Sequence, residues 1–227
     1  MSSQVSPEKI HAGDFSRWLR QTRANLKVEQ GVDVDCRDCT GCCTSSYFIH
    51  IRPDERQALA HIPKKLTVPA PGMPKGHVLM GYNQEGLCPM LMGGKCTIYQ
   101  HRPQTCRNYD CRVFTAAGIT AGEADKSTIN RRVQLWQFTY PTQRDLEEHQ
   151  AVQAAAHFIL DRAHAFPGGR APTHPSQVAI LALKSFDVFL PVDGHQSFIT
   201  SLSDVDIANL IVDASRKFDA SGPDSTR

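Results

Sequence analysis

Eight cysteines are the main candidates for chemistry in this 227-residue chain, and all of them fall between residues 36 and 111. They form a first group of Cys36, Cys39, Cys42 and Cys43 and a second group of Cys88, Cys96, Cys106 and Cys111. Cysteine thiolates are the natural ligands of zinc and of iron–sulfur clusters. A single cysteine often serves only as a small buried hydrophobic residue, but eight in one segment favour metal binding, so all eight are candidate ligands.

The first group repeats one spacing, with two residues between Cys36 and Cys39 and again between Cys39 and Cys42. Thiolates at this spacing can turn back onto one ion, and three of them can each bind a corner of one iron–sulfur cluster. Adjacent side chains in an extended segment point to opposite sides, so Cys42 and Cys43 share an ion only if the backbone turns there. Three ligands in one turn leave a position open, so the two groups are predicted to meet in space.

Four thiolates complete one tetrahedral ion or one cluster, so eight thiols fill either two sites or one site with four spares. Pro103 suits the first position of a short helix, which places Cys106 in the first turn, where free N–H groups and the helix dipole lower a thiol's pKa. Four nearby cations either offset the thiolate charge or are ordinary surface residues: Lys95, Arg102, Arg107 and Arg112. With thiols in surplus, the nearby histidines are predicted to be surface or packing residues: His50, His61, His77 and His101.

The elements around the cysteines are predicted to be short. Strands are expected at 47–51, 77–82 and 96–99, and a helix from Asp54 to His61 follows Pro53. Prolines and glycines make 63–76 a surface loop, and the Gly93-Gly94 turn predicts a hairpin or a knuckle between Cys88 and Cys96.

Helices are predicted on both sides of this region. Apolar residues recur at helical spacing from Asp14 to a point before Gly31, and a helical turn or two is expected within 127–138. A capping box at Thr142 to Asp145 begins another helix, and two more are predicted from Ser176 to Phe189 and after Ser203. The predicted fold class is therefore α+β and mainly α, with a cysteine-rich metal-binding region of short strands and loops packed with a C-terminal helical bundle. The predicted domains are 1–115, which includes the N-terminal helix, a helical region at 116–219, and a disordered tail at 220–227.

Composition limits the function classes. The chain is 41% hydrophobic and 21% charged, which is typical of globular proteins. The N-terminus has no apolar signal region, and the longest apolar run, Val178–Leu183, is too short to span a bilayer, so a soluble cytoplasmic protein is predicted. Thiols stay reduced in the cytosol, which favours metal ligation over disulfides. A net charge of +2 and a pI near 8.1 argue against a nucleic-acid or membrane partner.

Three motifs resemble the YkgJ-type cysteine-cluster proteins, which are described as zinc- or iron-chelating domains. They are Cys36-x-x-Cys39-x-x-Cys42-Cys43, then Gly86-Leu-Cys88-Pro89-Met-Leu, then Cys96-Thr-Ile-Tyr99-Gln-His-Arg102-Pro103-Gln-Thr-Cys106-Arg107. The resemblance implies binding of zinc or of an iron–sulfur cluster. The larger family also includes flagellin lysine N-methylases, which use S-adenosylmethionine, but nothing in this chain matches a methyl-donor site.

Three functions follow from these observations. The leading hypothesis is a metal-binding protein with a redox or sensing role, whose cofactor is an iron–sulfur cluster in preference to zinc and whose protein partner the sequence does not identify. The alternative is a protein lysine N-methyltransferase, so the sequence does not decide whether the protein is an enzyme. A zinc module that binds nucleic acid needs basic and aromatic residues on one face, and 7% aromatic residues with mild charge argue against it.

Overall fold

The computed structural model describes residues 8–28, 32, 34, 39–191 and 198–222. In chain order, its helices and strands are β1 (Ile10–Asp14), α1 (Phe15–Val28), β2 (Ile49–Ile51), α2 (Arg56–His61), β3 (Thr67–Pro69), β4 (Val78–Met80), β5 (Leu91–Met92), β6 (Lys95–Cys96), α3 (Gln104–Asn108), α4 (Arg112–Ala117), α5 (Ser127–Leu135), β7 (Trp136–Thr139), α6 (Gln143–Asp161), α7 (Pro175–Ser185) and α8 (Asp204–Ala220). The fold is α+β and mainly α, as predicted. None of these helices is both long enough and apolar enough to cross a membrane.

The chain divides into two compact units. The helical unit comprises the described parts of 1–28, 111–122 and 133–227, and the cysteine unit comprises those of 29–110 and 123–132. The boundary predicted near residue 115 therefore does not coincide with the division between the units. Helix α1 belongs to the helical unit, and residues 123–132 belong to the cysteine unit. Of the predicted tail at 220–227, residues 223–227 lie outside the described part.

The helical unit packs α1, α4, α6, α7 and α8 around one apolar core. The predicted capping box of α6 is confirmed: Asp145 N–H donates to Thr142 Oγ1 at 3.4 Å, and Thr142 N–H donates to Asp145 Oδ2 at 2.9 Å. Phe15 meets Phe138 edge-on with centroids 5.0 Å apart and stacks on the His149 ring at 4.3 Å. The core is completed by side chains with 0% exposure, which include Val152, Ala155, Ile159, Val178, Leu183 and Ile211.

Strands β1 and β7 form a parallel pair in the helical unit, with Ile10 opposite Trp136 and Asp14 opposite Thr139. The sequence analysis did not predict this pair. Residues 136–138 were included in a segment with a helical turn or two, whereas α5 ends at Leu135 and the chain becomes extended at Trp136.

The cysteine unit has a small antiparallel sheet in the order β2-β4-β3 and a hairpin of β5 and β6. The hairpin predicted at Gly93-Gly94 is confirmed, and both glycines have the positive φ that such a turn requires. The prediction that 63–76 is entirely loop is wrong, because Thr67–Pro69 forms β3. Pro69 is tolerated because β3 is an edge strand. The predicted strand at 96–99 is instead Lys95–Cys96 followed by a 3₁₀ turn at Tyr99–His101.

The apolar core of the cysteine unit is small. It consists of Ile51, Ala58, Ile62, Met80, Met90 and Ile98. Cys88 and Cys96 pack against this core while remaining partly exposed. Two of the candidate ligands are therefore fixed on one side by the apolar core of the sheet.

Candidate metal centre

Backbone hydrogen bonds connect the two groups of cysteines. Cys88 N–H donates to the Cys43 carbonyl at 2.7 Å, and Ser46 N–H donates to the Gly86 carbonyl at 3.1 Å. Gly86 has φ +77°, and a Cβ at this position would lie 2.5 Å from Ser46 Oγ. The close approach of the two segments therefore depends on glycine at position 86. It also confirms the prediction that the two groups meet in space.

The backbone turns at the vicinal cysteines. Residues Gly41–Thr44 form a 3₁₀ turn, in which Ser45 Oγ donates to the Gly41 carbonyl at 2.6 Å. The turn brings the sulfurs of Cys42 and Cys43 to 4.0 Å. Zinc with Zn–S bonds of about 2.3 Å holds its thiolate sulfurs about 3.8 Å apart. The condition under which this pair can share an ion is therefore met.

Six thiols line one cavity of about 540 Å³. They are Cys39, Cys42, Cys43, Cys88, Cys96 and Cys106. Cys36 lies outside the described residues. Cys111 belongs to the helical unit and is not part of this lining; its sulfur accepts a hydrogen bond from Trp136 Nε1 at 3.1 Å.

Cys106 is held by helix α3, which begins at Gln104 with Pro103 as the residue just before it. Glu55 Oε2 accepts a hydrogen bond from Gln104 N–H at 2.5 Å and so fixes the start of the helix. The predicted lowering of the Cys106 pKa is wrong for the metal-free thiol. Burial, and then the charges of Cys43, Cys88 and Cys96, raise its pKa to about 12, while the smaller effect of Arg102 acts in the opposite direction.

The neighbouring thiols also hold their protons. The hydrogen bond with Cys42 raises the pKa of Cys43 to about 12, against the opposing hydrogen bond with Cys88. The hydrogen bond with Cys43, and then burial, raise the pKa of Cys88, and burial raises the pKa of Cys96. Cys43, Cys88, Cys96 and Cys106 thus interact mutually, and a metal that binds them must displace protons.

Backbone N–H groups two residues downstream point at several of these sulfurs. Gly41 N–H donates to Cys39 Sγ at 3.4 Å. Backbone hydrogen bonds from Met90 to Cys88 and from Ile98 to Cys96 lower the pKa of those thiols in part. Such bonds stabilise a thiolate and tune the metal that it holds. The donor set is therefore suited to a thiophilic metal.

The positively charged residues near the second group occupy different places. Lys95 and Arg102 line the cavity, and the Arg102 guanidinium lies 3.6 Å from the Tyr99 ring centroid. Arg107 instead donates to the backbone carbonyls of Gln100 and Arg102. Arg112 is in the helical unit, where it donates to the Ala12 carbonyl.

The histidines pair with one another, in agreement with their predicted packing role. His50 Nε2 lies 2.8 Å from His77 Nδ1, and the rings of His61 and His101 stack at 3.9 Å. None of the four lines the cavity. In the part of the chain that the structure describes, no three Cys, His, Asp or Glu side chains form a closed metal site. The six thiols are gathered around one space.

Residues 35–133 match a family model described as "CxxCxxCC: Putative zinc- or iron-chelating domain". This segment is therefore similar to that family. The resemblance inferred from the cysteine motifs is confirmed, and the match extends beyond the last cysteine to residue 133. No curated protein and no solved structure matches the chain significantly.

Three residues of the chelating domain were missed by the sequence analysis. Glu55 fixes helix α3, Tyr109 lines the cavity, and Lys126 contacts the turn that follows the first cysteine group. The extension of the family match to residue 133 is a signal that could have indicated Lys126. The other two have no local sequence pattern that separates them from ordinary polar residues.

Proposed function

We propose that the chelating domain binds a metal centre through cysteine thiolates, with an iron–sulfur cluster preferred to zinc. The observation that carries the proposal is that six thiols from separate segments line one cavity. Cys43, Cys88, Cys96 and Cys106 are the proposed primary ligands because all four line this cavity and a backbone hydrogen bond joins Cys88 to Cys43. Cys39 and Cys42 lie beside them, and Cys36 joins this set by its spacing in the sequence. Cys111 is omitted because it does not line this cavity.

The size of the cavity favours a cluster over one zinc ion, whereas the number of thiols does not, because four thiolates complete either centre. The volume of about 540 Å³ is in the range of small-molecule pockets and exceeds what a single ion occupies. A bound cluster would supply one-electron chemistry, which supports a redox or sensing role in the cytoplasm.

Anaerobic purification followed by metal analysis and an absorption spectrum tests the proposal. An iron–sulfur cluster makes the protein brown and gives a thiolate-to-iron absorption band at about 400 nm. Metal analysis then finds iron together with acid-labile sulfide. Colourless protein that contains stoichiometric zinc would show that the site binds zinc and not an iron–sulfur cluster. Protein that neither retains nor rebinds either metal would contradict the proposed function.

The lysine N-methyltransferase alternative stays a hypothesis from the family resemblance. No contact or cavity in the described residues favours it over metal binding. Retention of S-adenosylmethionine by the purified protein would support it, and equilibrium dialysis measures that binding directly.

A further inference from the structure

Lys126 is a buried cation in the cysteine unit, with 8% of its surface exposed. Its Nζ donates to the Ser45 carbonyl at 2.6 Å and pairs with the Asp125 carboxylate. It also lies 4.6 Å from the centroid of the Tyr47 ring. An ammonium group is costly to bury unless it is paired in this way. Lys126 therefore holds the backbone two residues after Cys43 by a direct hydrogen bond.

The segment that carries Lys126 also packs on the turn itself. Helix α5 follows Lys126 directly and carries Ile129. A Cβ at Gly41 would lie 3.2 Å from Ile129 Cγ1, so α5 contacts the backbone between Cys39 and Cys42. Residues 123–132 belong to the cysteine unit and fall within the matched family domain, although they follow the last cysteine. The segment is thus part of the metal-binding domain and supports its first cysteine group.

The contacts of Lys126 continue toward the cavity. Tyr47 Oη lies 3.3 Å from Tyr109 Oη, and Tyr109 lines the cavity. The pKa of Tyr47 is raised mainly by burial, with Lys126 lowering it and Cys42 raising it, so all three groups share one environment. Four thiolates that hold a dication carry a net charge of about −2, which a nearby cation stabilises.

We infer that Lys126 is a positioning residue of the proposed metal centre. Its ammonium group fixes Ser45, at the C-terminal end of the turn that carries Cys42 and Cys43, and its charge offsets that of their thiolates. This inference rests on the proposed function. Loss of an outer-shell partner typically weakens metal binding by about 10–100-fold, and we expect that loss for Lys126→Met.

The test measures the dissociation constant of the full chain for Zn²⁺ by competition with a chromophoric chelator. Lys126→Met, Lys126→Arg and Asp125→Asn are compared with Lys75→Met, which removes an exposed lysine of the same unit. We expect Lys126→Met to weaken binding, Lys126→Arg to restore part of it, and Asp125→Asn to change it less than Lys126→Met does, because the Asp125 side chain is 57% exposed and the Ser45 carbonyl still accepts from the ammonium group. Lys75→Met should match the wild type.

A spectroscopic signal from the metal-bound thiolates separates an effect of the Lys126 charge on the site from an effect on the stability of the fold. With Co²⁺ as the probe, the thiolate-to-metal charge-transfer band should shift in Lys126→Met and not in Lys75→Met, while the circular dichroism of the metal-free chains stays the same. If Lys126→Met fails to fold, Lys126→Arg and Asp125→Asn still decide the outcome. Equal binding by Lys126→Met and wild type, or equal weakening by Asp125→Asn, overturns the inference. Failure of the wild type to bind any metal would instead overturn the proposed function.

Discussion

Cys106 and Cys111 lie close in sequence, but their sulfurs have different surroundings. Cys106 lines the cavity with five other thiols, whereas Cys111 accepts a hydrogen bond from the Trp136 indole. Reactivity and metal ligation follow the surroundings of a thiol more than its position in a motif. The two residues are therefore a matched pair for testing which cysteines are ligands.

We predict that Cys106→Ser loses most of its bound metal and that Cys111→Ser keeps it. Serine cannot replace a thiolate as a ligand. At structural thiolate sites, metal binding contributes on the order of 10 kcal/mol to the free energy of folding. The measurement is metal per chain in both variants, purified side by side under anaerobic conditions. Full occupancy in Cys106→Ser with loss in Cys111→Ser would reverse the assignment, and equal loss would favour two sites.

The raised thiol pKa values predict how metal affinity depends on pH. Hydrogen bonding and burial raise the pKa of Cys43 to about 12, and burial raises that of Cys106 to about 12, so both are protonated in the metal-free protein even in mildly alkaline solution. Metal binding must release those protons, so affinity rises as pH rises and continues to rise above the ordinary thiol pKa. Calorimetry in buffers of different ionisation enthalpy counts the protons. A count that falls to zero by about pH 9, near the ordinary thiol value, would contradict the prediction.

At the scale of elements, Gly86 is where the two cysteine segments approach each other. We predict that Gly86→Ala lowers the free energy of unfolding by about 1–3 kcal/mol and weakens metal binding, because alanine is strained at φ +77° and its Cβ meets Ser46 Oγ. Gly72→Ala is the control, since Gly72 has φ +73° with nothing within 4 Å of an added Cβ. Thermal unfolding and metal titration of both variants check the prediction. Equal metal affinity in the two would show that the contact with Ser46 is unimportant.

The sequence predicted those elements whose signals are local. Helix α6 follows from its capping box and α8 from the Ser203 cap, because each depends on residues within one turn. The hairpin followed from Gly93-Gly94 in the same way. Strand β3 was missed because Pro69 argues against a strand unless the strand lies at a sheet edge, and that position is set by its partner β4.

Distant pairings were beyond the sequence. Strands β1 and β7 pair with Ile10 opposite Trp136, and no local sequence pattern predicts a pairing between these two segments. The position of Lys126 against the Ser45 carbonyl has the same origin. At the candidate site, clustering and spacing predicted that the two cysteine groups meet, but the different surroundings of Cys111 depend on Trp136, far along the chain.

At the scale of the whole molecule, the two units have different sources of stability. The helical unit has an extensive apolar core with many side chains at 0% exposure, such as Val152 and Ile211. The described part of the cysteine unit has a buried apolar cluster of six residues and strands of two or three residues. Apolar burial is the main favourable contribution to folding, so the smaller core gives the cysteine unit less stability of its own.

We predict that removing the metal destabilises the cysteine unit against local unfolding and leaves the helical unit unaffected. Metal binding free energy contributes directly to folding where ligands come from separate segments, as they do around this cavity. Hydrogen exchange measured by mass spectrometry, before and after treatment with a chelator under reducing conditions, locates the change. Protection should be lost in 39–110 and retained in α1 and α6, with most of the helical circular dichroism preserved. Re-addition of the metal should restore the lost protection. Simultaneous loss in α6 would show that the two units unfold as one cooperative structure, because independent units lose protection separately.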